Sequence, residues 1–320
     1  MTDSDWEVII VGGGPAGLAA ALVLGRCLRR VVVLDAGHPR NEPASVFNGY
    51  LSRDGSDPRE FLQISREQLR RYETVKLSSA KVVDAETGID SFTVTLEDST
   101  CHRARMLLLA TGVIDQLPDI PGLRERYGRS VHVCPYCDGW ENRGQPLAVL
   151  GNDTDAAGMA IELLLWSPDV ILCANGPLRC DATCAEQIRK GGIRVIETPV
   201  AALENVGTQL SAVCLRDGSR LARTALFFSP SQCQRSPLAE RLGCEFCKTD
   251  GGIQCAEDAS TNIPGLYAAG NASRGVQLVI AAAAEGTLAA VAINNALLEA
   301  DAARGCIASP PATSASNATS

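Results

Sequence analysis

Residues 6–17 read WEVIIVGGGPAG and carry the strongest structural signal in the chain. The first six residues are mostly apolar and β-branched, which is typical of a buried parallel strand. Gly12, Gly14 and Gly17 then fit the pattern G-x-G-x-x-G. In this pattern the first glycine allows a tight turn, the second lets the backbone approach a pyrophosphate, and the third lets helix and strand pack closely. The stretch therefore predicts a dinucleotide site at the N-terminus of a helix from Leu18 to Arg29.

A second strand and an acidic residue complete this context. The strand Val31 to Leu34 is followed by Asp35, which lies 21 residues after Gly14. That spacing is typical of a carboxylate that binds the ribose of a dinucleotide. We therefore interpret the glycines as a cofactor fingerprint rather than a structural turn, and expect Pro15, Ala16 and Ala36 to line the same site.

Composition restricts the class of protein. The chain has 320 residues, which predicts about two domains by the rough 150-residue rule, and a net charge of -8. An acidic protein without a basic block is not expected to bind nucleic acid or an anionic membrane. The most apolar stretch, residues 276–293, contains Glu285 and is predicted to be a buried helix rather than a membrane span. Thirteen cysteines and no recognisable signal peptide favour a reducing, cytoplasmic location.

The second chemical signal is VCPYCDG at residues 133–139. Cys134 and Cys137 can close a small disulfide ring, and this spacing can lower the pKa of one thiol and make it nucleophilic. Asp138 follows directly and is well placed to move the proton that thiol exchange requires. Half of a zinc site and a pair of buried structural thiols are the alternative interpretations.

The segment between these two signals mixes loop, helix and strand patterns. Residues 38–55 are loop-like, Pro58 to Tyr72 is predicted to be an amphipathic helix, and residues 75–83 and 91–96 alternate like an antiparallel flap. Met106 to Ala110 predicts another buried strand, which ends at Thr111 and Gly112.

Four motifs give the chain a family resemblance. GGGPAG at 12–17, LLLATG at 107–112, CPYCDG at 134–139 and IPGLYAAGN at 263–271 resemble the thioredoxin reductase family of flavoprotein disulfide reductases, over about Val8 to Leu298. The resemblance implies an α/β fold with two Rossmann-like three-layer domains and a homodimer. An FAD domain formed by residues 1–117 and 248–308 is expected to be interrupted by an NAD(P)-binding-like domain at 118–247, which carries the CxxC. Residues 309–320 are predicted to be a disordered tail.

The resemblance also implies roles for individual residues. Cys137 is expected to be the thiol that exchanges electrons with FAD at flavin C4a, Cys134 the thiol that exchanges with substrate, and Asp138 their general acid and base. The family places an acidic residue where this chain has Asn271, and Arg-Gln-Ala where it has Gln277 to Val279. Backbone amides at the start of a helix over 277–298 are therefore expected to contact the flavin. The residues expected to bind FAD are Gly12, Gly14, Pro15, Ala16, Gly17, Asp35, Ala36, Arg40, Asn41, Asn48, Thr111, Gly112, Gly270, Asn271, Gln277, Leu278 and Val279.

The inserted domain departs from the family pattern. A strand predicted at 145–150 is followed by Gly151, but Asp153 occupies the place of the second glycine and Asp155 follows. Carboxylates there oppose a pyrophosphate. After the next strand, 169–173, no basic cluster for a 2′-phosphate is present, and Arg179 is the nearest cation. We predict that NADPH is not the electron donor; a variant loop that still binds NADPH weakly is the alternative.

Other routes for electrons then stay open. Relatives take electrons from ferredoxin, pass them to oxygen as dithiol oxidases, or bind an additional flavin. The CPYC ring resembles that of dithiol oxidases, which carry histidine directly before the first cysteine, whereas this chain has Val133 there and His132 one position earlier. The substrate is expected to be a thioredoxin-like protein or a small disulfide or dithiol. A flavin-based redox sensor without turnover is the non-enzymatic alternative.

Further cysteines are scattered through the second half of the chain: Cys180, Cys184, Cys214, Cys233, Cys244, Cys247 and Cys255. Of these, Cys244 and Cys247 form another C-x-x-C. A second redox pair and a four-cysteine zinc site with the first pair are alternatives. The second pair begins 107 positions after Cys137, far beyond the spacing of a zinc ribbon. We therefore expect free thiols and no metal.

Overall fold

The computed structural model describes residues 5–207, 209–273 and 275–305. The described chain forms, in order, β1 (Asp5–Val11), α1 (Pro15–Arg26), β2 (Val31–Asp35), α2 (Pro58–Leu69), β3 (Val75–Ser79), β4 (Val82–Gly88), β5 (Ser91–Leu96), β6 (Cys101–Leu109), β7 (Val113–Gln116), β8 (Val131–His132), α3 (Pro135–Asp138), β9 (Leu147–Leu150), α4 (Thr154–Leu163), β10 (Val170–Cys173), α5 (Ala182–Lys190), β11 (Arg194–Ile196), β12 (Val200–Val206), β13 (Gln209–Leu215), β14 (Arg220–Ala222), β15 (Ala225–Phe228), β16 (Ser231–Gln234), α6 (Leu238–Arg241), β17 (Leu266–Ala268) and α7 (Val279–Ala303). Most predicted elements are present, with ends that differ by a few residues.

These elements fold into two compact units. The first holds the described residues up to Gly37, Gln63–Gly112 and those from Gln234 onward, and the second holds His38–Leu62 and Val113–Cys233. The predicted domains, with boundaries after residues 117 and 247, stay a prediction. The predicted tail at 309–320 lies outside the described residues.

The first unit is built on a seven-stranded sheet with the order β3-β2-β1-β6-β5-β4, and β17 also pairs with β6. β1 lies parallel to β2 and β6, and β17 lies parallel to β6, as in a Rossmann-like layer. The prediction that residues 75–83 are one strand of an antiparallel flap is wrong. Val75–Ser79 pairs in parallel with β2 as an edge strand, and a separate strand β4 pairs antiparallel with β5. A half-exposed parallel edge strand alternates in polarity like an antiparallel one, so periodicity could not separate the two.

Helix α7 packs against α1 in the first unit. A methyl group on Gly286 would come within 2.0 Å of the carbonyl oxygen of Ala16, so the two backbones are in close contact. By length and composition α7 could cross a membrane, which on its own is weak evidence. Its buried face, which includes Ala289 and Ile293, fits the predicted core helix. The helix starts at Val279 and ends at Ala303, later at both ends than the predicted 277–298.

The second unit has a five-stranded parallel sheet with the order β11-β10-β9-β15-β8. Alternate residues of β9 belong to two different apolar clusters: Leu147 and Val149 pack with residues of α4 and α5, and Ala148 and Leu150 pack with residues of β12 and β13. The sheet is therefore covered on both faces, by helices on one and by the antiparallel sheet β12-β13-β14 on the other. This confirms the predicted α/β class with Rossmann-like layers.

Candidate active site

The two cysteines of CPYC lie at the start of the short helix α3. Cys134 is the residue before the first turn, and its Sγ accepts a hydrogen bond from the backbone N–H of Cys137 at 3.2 Å. The hydrogen bond with the Cys137 thiol lowers the pKa of Cys134 against the effect of burial. The same hydrogen bond, together with burial, raises the pKa of Cys137. These effects make Cys134 the more acidic thiol of the two.

Asp138 ends α3, and its carboxylate is held by a histidine that sequence reasoning did not assign to the site. Asp138 Oδ1 lies 3.2 Å from Nδ1 of His132, whose side chain is only 6% exposed. Asn142 Nδ2 donates to the backbone carbonyl of Asp138 at 2.8 Å and lies 3.4 Å from His132 Nε2. A histidine next to the CxxC was the available signal, but its position before Val133 did not indicate which way the ring would point.

Three loop residues predicted to bind the cofactor have hydrogen-bond partners within the second unit. Asn48 Nδ2 donates to the backbone carbonyl of Cys137 at 2.8 Å and so supports the redox ring directly. Arg40 forms a two-pronged ion pair with Asp115, whose side chain is 3% exposed. Asn41 accepts a backbone hydrogen bond from Ala44 within this loop. FAD contacts by these three residues stay a prediction.

Aromatic side chains are exposed beside the ring. Tyr136 and Trp140 are 72% and 65% exposed, and Arg143 lies over the Trp140 ring at 4.1 Å. Tyr136 also meets Trp166 edge to face at 6.3 Å between ring centres. The second unit therefore presents an accessible aromatic surface on α3 and just after it, next to the two thiols.

The glycine fingerprint of the first unit has the geometry of a pyrophosphate cradle. A methyl group on Gly12 would come within 2.2 Å of the Ala110 carbonyl oxygen, whereas one on Gly14 would meet no atom within 4 Å. Gly14 precedes α1, Pro15 is the first helical residue, and among the described residues no side chain caps this helix. The open space and the uncapped helix N-terminus, with Ala16 and Gly17 in the first turn, fit a bound anion.

Asp35 stands at the end of β2, close to this cradle. A methyl group on Gly13 would come within 2.7 Å of its carboxyl carbon. Asp35 accepts from the backbone N–H of Gly37 and pairs with Arg66 at 2.8 Å. Ala36 follows in the exposed turn. Arg66 is a contact that the sequence interpretation missed.

The remaining predicted FAD residues lie on the loops after β6 and β17. Gly112 has a φ of +69° and its carbonyl accepts a hydrogen bond from Arg235. Gly270 has a φ of +73°, and a methyl group there would touch Ala16 Cβ at 3.0 Å, so this loop meets the start of α1. Thr111 and Asn271 are partly exposed beside these glycines, and Gln277 and Leu278 precede α7, which begins at Val279.

Glu285, which the sequence interpretation also missed, holds the loop after β17. Glu285 Oε2 accepts from the backbone N–H of Gly270 at 2.8 Å and lies 3.1 Å from the Ser273 hydroxyl. A carboxylate in the alanine-rich first half of a helix was the sequence signal for it.

The corresponding loop of the second unit is arranged differently. Asp153 Oδ1 accepts a hydrogen bond from the backbone N–H of Ala156 at 2.9 Å and so caps α4. Asp155 lies exposed in the first turn. Arg179, which the sequence left outside the fingerprint, donates to Asn152 Oδ1 at 3.0 Å. A carboxylate therefore fills the helix N-terminus at which a pyrophosphate would bind.

Cys244 and Cys247 lie in the first unit. Burial raises the pKa of Cys244 to about 11, whereas a hydrogen bond from Thr249 lowers the pKa of Cys247. Both are free thiols. Within the described ranges no group of three or more His, Cys, Asp or Glu side chains could hold a metal ion.

Comparisons with known proteins agree with this geometry. The family model described as Pyridine nucleotide-disulphide oxidoreductase matches residues 6–286. The thioredoxin reductase tcpT of Claviceps purpurea is 32% identical over 83% of this chain and 86% of its own length. A probable thioredoxin reductase of Arthroderma benhamiae is 36% identical over 53% of this chain, and the match spans only 44% of that relative. The crystal structure of HlmI superposes with a TM-score of 0.90 at 38% identity, over 94% of this chain and 95% of HlmI.

Proposed function

The chain belongs to the pyridine nucleotide-disulphide oxidoreductase family as a thioredoxin reductase-like flavoenzyme, and from this premise we propose that it exchanges electrons with disulfides or dithiols without using NADPH. Its redox centre is Cys134 and Cys137, with Asp138 as proton carrier. The observation that carries the proposal is the contrast between two helix N-termini. Gly14 leaves the first open, whereas the Asp153 carboxylate fills the second.

The two thiols take different roles. Cys134 is the exchange thiol, because its lowered pKa makes it the better nucleophile toward a substrate disulfide. Cys137 is the thiol that faces the flavin, as the family resemblance implies. Asp138 takes the proton from an attacking substrate thiol or returns it to a departing one.

The cofactor is FAD, held through the open turn at Gly14, the uncapped N-terminus of α1 and the carboxylate of Asp35. When bound, FAD accepts or donates the electron pair that the cysteines exchange. Asn48 holds the carbonyl of Cys137, and the Glu285 carboxylate holds the loop at Gly270. These contacts keep the redox cysteine Cys137 and the cofactor loop at Gly270 in position.

The electron donor or acceptor is then a reduced ferredoxin, an additional flavin, or the substrate dithiol itself with oxygen as final acceptor. The substrate is a thioredoxin-like protein or a small disulfide, and the exposed Tyr136 and Trp140 provide a surface for it. We also propose a cytoplasmic homodimer. The exposed apolar residues Leu288 and Val291 on α7 support an association of this kind.

One observation favours the second candidate, an NADPH-dependent thioredoxin reductase. Arg179 contacts the loop after Gly151, so a cation does stand next to the place of a dinucleotide phosphate. Anaerobic titration separates the candidates. Excess NADPH and then NADH should leave the flavin absorbance unchanged, and dithionite or reduced ferredoxin should then bleach it. Complete bleaching within seconds at micromolar NADPH would establish the second candidate.

A further inference from the structure

His132 has no role in the proposed reaction, yet both of its ring nitrogens have partners beside the redox ring. The residue lies on β8 next to β15, its ring centre is 5.1 Å from that of Phe227, and its side chain is 6% exposed. A polar ring in such a place normally has its nitrogens satisfied, which by itself would be a structural feature. The partner of Nδ1 points to a chemical role beyond the structural one, because Nδ1 lies 3.2 Å from the carboxylate of the proposed proton carrier Asp138.

Asn142 fixes the tautomer of this histidine. Its Nδ2 donates to the backbone carbonyl of Asp138 at 2.8 Å, and a carbonyl oxygen can only accept, so Nδ2 is the amide NH₂ group. The same nitrogen lies 3.4 Å from His132 Nε2. Because an NH₂ group can only donate, Nε2 accepts and the ring proton is on Nδ1. That proton is then donated to Asp138 Oδ1.

We propose that His132 is a positioning residue, which in the Nδ1–H tautomer set by Asn142 holds Asp138 so that its second carboxylate oxygen carries the substrate proton. The proposal rests on the proposed function, because it assigns a support to that site. The Asp138 side chain is 27% exposed, so without this hydrogen bond it can rotate into solvent.

This arrangement serves the thiol–disulfide exchange between the substrate and the redox ring. A substrate thiol gives its proton to the Asp138 carboxylate while its sulfur forms a bond to Cys134 Sγ. The Cys134–Cys137 disulfide bond breaks, and Cys137 leaves as a thiolate. In the opposite direction the Cys134 thiolate attacks a substrate disulfide, and protonated Asp138 returns the proton to the departing thiolate.

The tautomer can be measured without turnover. The chain has only three histidines, so ¹⁵N-histidine labelling gives three imidazole spin systems, and His132→Asn identifies the one that matters. We expect the ring to carry its proton on Nδ1. A proton on Nε2 would overturn the proposal even if the protein is an active disulfide oxidoreductase.

Single turnover tests the consequence. Dithionite-reduced protein is mixed anaerobically with 5,5′-dithiobis(2-nitrobenzoate), whose leaving thiolate needs no proton, or with 2-hydroxyethyl disulfide, whose leaving thiolate does. His132→Phe should slow flavin reoxidation by the alkyl disulfide about tenfold or more, which is part of the ~10²–10⁴ that general acid–base catalysis typically contributes, and leave the aryl disulfide nearly unchanged. His132→Asn, which keeps a donor near the position of Nδ1, should restore most of the rate.

The controls separate this proposal from the function it rests on. Asp138→Asn should reproduce the selective loss, and His102→Asn in the other unit should lose nothing. Equal loss with both disulfides in His132→Phe would mean a purely structural histidine and contradict the proposal. Wild-type protein that reacts with neither disulfide would instead contradict the proposed function, whatever the NMR result.

Discussion

Gly17 lies directly against Gly12: a methyl group on Gly17 would come within 1.9 Å of the Gly12 carbonyl oxygen. The third glycine of the fingerprint is therefore needed for the packing of α1 against the turn that follows β1. Gly14, with a φ of -79° and no atom within 4 Å of a methyl group, has no such constraint. The protein without its cofactor would accept a side chain at Gly14.

The first prediction uses this difference. Gly14→Val should give folded but colourless protein, because the side chain occupies the approach of the pyrophosphate. Gly17→Ala should give destabilised or insoluble protein, because the clash is with the backbone itself. Far-UV circular dichroism measures folding, and the flavin absorbance per protein measures FAD content. Full flavin occupancy in Gly14→Val would show that FAD is not bound at this turn.

The second prediction concerns the two thiols. Cys134→Ser removes the partner whose hydrogen bond raises the pKa of Cys137. Cys137 should then ionise more readily beside oxidised flavin and produce a long-wavelength charge-transfer band. Cys137→Ser should lack that band, and both variants should lose disulfide turnover. Exchanged phenotypes would reverse the assigned roles, and full activity in both would move the active pair to Cys244 and Cys247.

Local signals were predictable from the sequence, and long-range partners were not. The fingerprint at Gly12 to Gly17 depends on neighbours in sequence, so its spacing was enough to identify it. The hydrogen bond from Gly270 to Glu285 joins a loop to the second turn of a helix, and no spacing rule indicates it. No spacing rule indicates the contact between His132 and Asp138 either, because it forms only when β8 and α3 bring the two side chains together.

The third prediction concerns the buried ion pair of Asp115. Burial would raise the pKa of this carboxyl, but hydrogen bonds from Arg40, Tyr127 and Gln232 outweigh it and lower the pKa below 3.8. A lowered pKa contributes stability above the unfolded-state value, and this contribution is lost as the pH falls through the folded-state value. At pH 7, Asp115→Asn should lower the free energy of unfolding of the second unit by about 1.5–3 kcal/mol.

The difference between wild type and Asp115→Asn should stay constant from neutral pH to about pH 5 and shrink below about pH 4. Urea unfolding followed by the fluorescence of Trp140 and Trp166 reports on this unit. Glu204→Gln is the matched control, because the Glu204–Arg220 pair is solvent-exposed and should contribute little to stability. A difference for Asp115→Asn as small as that of the control would contradict a stabilising pair.

The last prediction is that Asp153→Gly creates an NADPH site that the wild type lacks. The substitution removes the carboxylate from the N-terminus of α4 and restores the second glycine, while Arg179 stays beside Asn152. Like charges about 4 Å apart cost roughly 1 kcal/mol in water and about 4 kcal/mol at an effective dielectric of 20, and each 1.4 kcal/mol is about tenfold in affinity. NADPH should therefore bind Asp153→Gly at least about fivefold more tightly, as measured by the quenching of NADPH fluorescence or by calorimetry.

Asp181→Gly is the matched control, since Asp181 caps α5 in the same way through the N–H of Cys184 and should leave NADPH affinity unchanged. Equal NADPH affinity in the wild type and Asp153→Gly, with both folded, would show that this carboxylate does not exclude the dinucleotide.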